Sequence, residues 1–241
     1  NDFIPLQYYE KRLINPLYYR TDNEQKASDP AVLQFKECSR LIEAGEFDDA
    51  WDICNRELMD DPNSVPYLIA ASQINDKCKR LTTAYQFADR AVQLAPRHFA
   101  SWLNLGRLND ELYRMPEAAE CYAKALEFAK GSKDRYLALM NMSGLAITRG
   151  DWKEAERTAR LAISIDPTGR KANANLGMAC LAQKKWIQGW AGYAHILGLD
   201  NRKIVQFADE GQWDGTKGQT VVVQCDQGVG DIIMFAQCIP R

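Results

Sequence analysis

Residues 102–126, WLNLGRLNDELYRMPEAAECYAKAL, decide how the rest of the 241-residue chain is read. Trp102, Leu105 and Gly106 lie on one side of a turn, and Ala118, Tyr122 and Ala125 on the other. Their spacing predicts two short amphipathic helices, with small residues where the pair must approach closely. A shift of about 34 residues, a period at which helical hairpins recur, brings Leu139, Met142, Ser143, Ala155, Ala159, Ala162 and Pro167 onto the same template. One further step brings Asn173, Leu176, Gly177, Gly189, Tyr193 and Ile196. Backwards, the same period gives Leu68, Ala71, Ser72, Ala84, Ala88, Ala91 and Pro96, then Gln34, Glu37, Cys38, Ala50, Cys54, Glu57 and Pro62.

The unit resembles a tetratricopeptide repeat. Five repeats are expected, at 31–64, 65–98, 99–132, 136–169 and 170–203, with a short insertion at 133–135. First helices should start near Ala31, Val65, Phe99, Tyr136 and Arg170, and second helices near Phe47, Leu81, Pro116, Trp152 and Ile187. Ala44-Gly45-Glu46, Arg149-Gly150-Asp151 and Gln183-Lys184-Lys185 put glycine or polar residues just past a helix end, where a left-handed cap wants them. Asp61-Pro62, Ala95-Pro96 and Asp166-Pro167 close units, because proline cannot continue the preceding helix. The resemblance implies an all-α fold, a helix-turn-helix solenoid wound as a right-handed superhelix, with the first helices forming its inner wall. A truncated α/β, Rossmann-like element is expected to follow.

Bulk composition narrows the function. A hydrophobic fraction of 46% and a charged fraction of 26% describe an ordinary folded chain, and a net charge of -2 offers no field for nucleic acid or an anionic membrane. No apolar run approaches the ~18 residues that a membrane helix needs, so a soluble, cytoplasmic protein is expected. Of the seven cysteines, Cys38, Cys54, Cys78, Cys121 and Cys180 fall in repeat helices and form no C-x-x-C pair, which reads as buried thiols in a reducing compartment. The two histidines, His98 and His195, have no partner at ligand spacing, so no metal site is expected. Residues 1–30 do not fit the repeat. Their aromatic clusters, with Tyr8, Tyr9, Tyr18 and Tyr19, suit either a partner-binding arm or a cap over the first repeat.

A binding function would live on the inner wall, where Asn104, Asn141 and Asn175 share one position in three successive repeats. An amide both donates and accepts, so such a ladder can hold the backbone of an extended peptide without reading its side chains. The repeats of O-linked N-acetylglucosamine transferase are similar, and the resemblance implies an acceptor polypeptide in the groove. The alternative is a groove filled from within, since Met140, Ile147, Met178 and Leu181 make the C-terminal wall apolar. The partner expected is a protein or peptide, with a homo-oligomer or larger assembly as a further expectation.

The helical period fails after Asp200. Thr220 to Cys225 (TVVVQC) is a β-branched run, followed by Asp226-Gln227-Gly228-Val229-Gly230-Asp231 and an apolar stretch ending at Pro240. Strand, glycine turn and helix in that order open an α/β sandwich. Ile233 stands where a dinucleotide fingerprint needs its third glycine. Together with Trp213-Asp214-Gly215, Gly218 and Phe235-Ala236-Gln237-Cys238-Ile239-Pro240, these make the end of the chain, within a segment 204–241 that starts as a linker, resemble the opening of a heptosyltransferase-like, GT-B glycosyltransferase domain. The resemblance implies an inverting transfer from a nucleotide-sugar donor to a polypeptide or glycan. Asp231 would be the general base on the acceptor hydroxyl, and Gly228 and Gly230 would leave room for substrate. Helix capping explains Asp231 equally. The donor pocket of such folds lies mostly in the second half-domain, so this chain alone is expected to bind no cofactor and to be inactive. The alternative is a non-catalytic adaptor or structural component of a larger assembly, and the chain reads as a piece of a longer protein.

Overall fold

A computed structural model describes residues 30–196. They form five helical hairpins in succession: α1 (Pro30–Ala44) with α2 (Phe47–Asp60), α3 (Val65–Lys77) with α4 (Leu81–Leu94), α5 (Phe99–Glu111) with α6 (Met115–Glu127), α7 (Ser132–Thr148) with α8 (Trp152–Ile165), and α9 (Arg170–Ala182) with α10 (Trp186–Tyr193). A short 3-10 turn, Ala194–Ile196, ends the array. No strand occurs among the described residues. The strand, turn and helix expected over 204–241, and the aromatic segment before Pro30, lie outside them. Residues 133–135, which break the period, form the first turn of α7 rather than a loop.

The two helices of a hairpin differ in composition because they differ in neighbours. A first helix is covered by its own partner and by the hairpins on either side, so α3 buries Val65, Tyr67, Leu68, Ile69, Ala70, Ala71, Ser72 and Ile74 almost all round. A second helix keeps one face to solvent and buries only a narrow stripe, as Ala155, Thr158, Ala159 and Ala162 do in α8. First helices also touch the first helices of the next repeat, from α1 through α9, whereas no pair of second helices is in comparable contact. The array therefore bends toward its first helices. They line the concave face.

Every hairpin turn is closed in one way. Gly45, Lys79, Tyr113, Gly150 and Lys184 occupy the same position and all have positive φ, from 57° to 83°. The next residue then donates its N–H back to the helix, as Arg80 does to Asn75 at 2.8 Å and Arg114 to Asn109 at 2.8 Å. Glycine is not required by the fold at this position, although the side chain of Tyr113 or Lys79 costs about 1 kcal/mol there.

Inside each hairpin, volume is traded between the facing helices. Ser72 of α3 and Ser143 of α7 are fully buried in hairpins where α4 and α8 supply Ala88 and Ala159. In the third hairpin the residues at those two positions are Gly106 and Tyr122. A Cβ on Gly106 would lie 2.7 Å from the Tyr122 ring, so the buried tyrosine is accommodated only by the missing side chain. In the fifth, a Cβ on Gly177 would strike the α10 backbone at Tyr193 and Gly192.

Candidate functional site

The concave face is built by one row of positions on α3, α5, α7 and α9, and neighbouring helices meet along seams between these rows. In the α3/α5 seam, Asn104 donates its amide to the Ser72 hydroxyl at 2.7 Å. One turn further on, Arg107 donates to Asp76 at 2.7 Å. Asp76 is almost wholly buried and Arg107 is one-third exposed, so this ion pair is partly shielded from water. Asp76 Oδ1 and Asn104 Oδ1 are buried acceptors that no protein donor reaches.

The same register closes differently in the α5/α7 seam. Asn141 has Gly106 across from it, where Asn104 has Ser72. With no hydroxyl to meet, its amide turns back to Leu137 of its own helix at 2.8 Å. Asp110 stands where Asp76 stands one repeat earlier, but across from it is Gly144 instead of arginine. Among the described residues the half-buried Asp110 carboxylate makes no hydrogen bond and no ion pair. Burial, then the neighbouring Glu111, raise its carboxyl above the ordinary aspartate range, and Lys171 of α9 pulls the other way without reversing the shift.

The α7/α9 seam restores the first pattern in part. Asn175 donates to Ser143 at 2.7 Å and to the Met140 carbonyl at 3.2 Å. Where the earlier seams have Asp76 with Arg107 and Asp110 with Gly144, this one has Ile147 in register with Met178, both half-buried. Met140, two turns earlier on α7, is buried against Leu139, Ala162 and Ala172, and Leu181 leans against Gly189 of α10.

The three asparagines expected to form a ladder do share one row. Two of them, Asn104 and Asn175, are buried and join repeat to repeat through a serine, while Asn141 is half-buried and makes no bond across its seam. Sequence reasoning missed Asp76, Arg107, Asp110 and Gly144. Their signal was present as charges recurring at one position, but it becomes legible only when the positions that face each other across a seam are known. Asp231, Gly228, Gly230, Tyr8, Tyr9, Tyr18 and Tyr19 lie outside the described residues.

Elsewhere the titratable groups serve structure. Cys38 donates to the Ala50 carbonyl, and burial pushes its thiol up to about 11. Cys121 is raised to about 11 by the same cause. His98 sits 2.9 Å from the Ser101 hydroxyl and is lowered by burial and by Lys130. On the outer side, Glu156 accepts from Lys185 and Gln183, which tie the fourth hairpin to the fifth, and from Arg160 of its own helix; together they hold its carboxyl down to about 2. No group of three metal-binding side chains occurs among the described residues. Nor is any helix there long and apolar enough to cross a membrane.

No family model matches the chain, and no curated protein sequence matches it with significance. Similar solved structures include that of PilW, a widely conserved type IV pilus biogenesis factor, at 16% identity over 70% of this chain and 77% of that one, with a TM-score of 0.62. A thermophilic tetratricopeptide protein of Thermus thermophilus is 17% identical over 69% of this chain and 89% of its own, with a TM-score of 0.60. MamA, also 17% identical, covers the same shares with a TM-score of 0.54. These likenesses establish the fold as a tetratricopeptide-type solenoid.

Proposed function

We propose that the chain is a protein-interaction scaffold, an adaptor or structural component of a larger assembly, whose concave face holds an extended polypeptide segment. The observation that carries this is the change along one row of the inner wall, from an ion pair through an unpaired carboxylate to an apolar pair. Nothing in the packing of the hairpins requires such a sequence of surfaces, whereas a segment lying along the groove would meet them in turn. The solved neighbours of the same fold include a biogenesis factor, which suits a scaffold role. The five described cysteines are all unpaired thiols, which suits a reducing, cytoplasmic setting. Assembly with further copies of itself belongs to the same reading.

The test is binding of short randomised peptides with capped ends, measured by fluorescence anisotropy on the whole chain. Met178→Gln should weaken the selected peptides about fivefold by removing an apolar contact. Leu161→Gln, on the outer side of α8, should leave them unchanged. Asn141→Ala tests the ladder without touching the bonds that Asn104 and Asn175 make between repeats, and a loss of affinity would support backbone holding by that amide. Sensitivity to Leu161 with indifference to Met178 would move the site off the concave face.

A second reading, carried by the sequence motifs between Trp213 and Pro240 alone, is that the natural protein is an inverting glycosyltransferase using a nucleotide-sugar donor, with Asp231 as its base. Sugar transfer by that protein, abolished in Asp231→Asn, would support it; transfer unchanged in that variant would remove Asp231 from the mechanism.

A further inference from the structure

We infer that the α5/α7 seam takes a cationic side chain, lysine or arginine, from the bound polypeptide, seated on the Asp110 carboxylate over the gap at Gly144. The inference rests on the concave-face reading above and names what that face selects.

The protein itself shows what fits there. One repeat earlier, the carboxylate at this register is met by a guanidinium, Arg107 on Asp76 at 2.7 Å. At Asp110 the position that would supply the partner is Gly144. A Cβ built on Gly144 would meet only Asn175 Nδ2, at 3.8 Å, so nothing crowds the position from which the arginine of the earlier seam reaches its carboxylate. Of the neighbouring first-helix pairs, α5 and α7 are also the least closely joined.

The charges around the gap leave the carboxylate short of a partner. Arg107 is engaged by Asp76, and Glu111 adds a like charge. Lys171 is near enough to act on Asp110 but forms no ion pair with it. Burial of an uncompensated carboxylate is unfavourable, and a cation supplied from outside removes the penalty while gaining charge-assisted hydrogen bonds. A guanidinium suits a half-buried carboxylate better than an ammonium, being planar and weakly hydrated. Asn141, one turn earlier on α7, flanks the gap on one side. Ile147 and Met178 flank it on the other, so the segment should carry an apolar residue beyond its cation.

The experiment selects capped, randomised peptides on the whole chain, then compares an arginine-containing binder with its citrulline twin, which keeps shape and loses charge. Arginine or lysine should be enriched at one position, and citrulline should weaken binding about tenfold. Asp110→Asn should weaken the arginine peptide about as much and leave the citrulline peptide little affected, because both changes remove one interaction. Gly144→Arg supplies the cation from within the wall and should also cost the arginine peptide about tenfold; Gly144→Ala, which fills only a methyl of the gap, should cost several times less. Each variant's urea midpoint checks that it is folded.

Equal affinity for the arginine and citrulline peptides, or equal effects of Gly144→Arg and Gly144→Ala, would overturn the inference. If Met178→Gln still weakened those peptides, the groove would stand and only its cation specificity would fall. A library yielding no binder would overturn both.

Discussion

The α3/α5 and α5/α7 seams use one register and share an asparagine and an aspartate in it, yet the first is zipped and the second is open. In the first, Ser72 with Asn104 and Asp76 with Arg107 form successive rungs. In the second, glycine replaces one member of each rung, and Asn141 and Asp110 are left without a partner across the seam. The repeat fixes where helices cross. It does not fix what lies between them, so one fold can carry a closed structural joint beside a joint available to a ligand.

The glycines responsible have different causes, and this gives the largest test of the comparison. Gly106 is imposed by packing, because Tyr122 occupies the space of its side chain. Gly106→Ala should cost about 2 kcal/mol of stability in urea denaturation, and the cost should vanish in a Tyr122→Ala background. An undiminished cost there would break the volume trade between α5 and α6.

The next test is of sign. Asp76→Asn removes the partner of a partly shielded arginine and should destabilise by about 1–2 kcal/mol. Asp110→Asn, at the same register, should instead stabilise by about 0.5 kcal/mol or less. Because burial raises the folded-state pKa of Asp110 above its unfolded value, the penalty for carrying its charge appears as pH rises through that window and is absent below it. The gain from Asp110→Asn should therefore disappear in acid. Loss of stability in both variants would mean the two seams are not different in kind.

A lock outside the groove provides the control. Glu156→Gln should weaken the joint between the fourth and fifth hairpins by about 1 kcal/mol. Its folded value is depressed, chiefly by Lys185, so its contribution is present above the unfolded glutamate value and is lost as pH falls toward about 2. That pH response is opposite to the one at Asp110.

The hairpins were legible because each repeat needs small residues at fixed places, and Ala118, Ala125, Ala155 and Ala162 supply them whatever else changes. Helix starts at Val65, Phe99, Trp152 and Arg170 follow from the same pattern. The site was less legible. Asn104 and Asn141 look alike in sequence, and only the residue across the seam, Ser72 or Gly106, decides where each amide goes. Asp76 and Arg107 are thirty-one residues apart, a pairing that periodicity within one helix does not reveal. The expected transferase residues, Asp231 with Gly228 and Gly230, and the tyrosines of the N-terminal segment lie outside the described residues, so the concave face carries the functional argument.

The most direct test of that argument is a crystal structure of the chain with a selected arginine-containing peptide. An extended segment should lie along the concave face, its guanidinium within ion-pair distance of Asp110 above Gly144 and an apolar side chain between Ile147 and Met178. A peptide bound on the outer helices, or a guanidinium directed away from Asp110 with that carboxylate still unpaired, would contradict it.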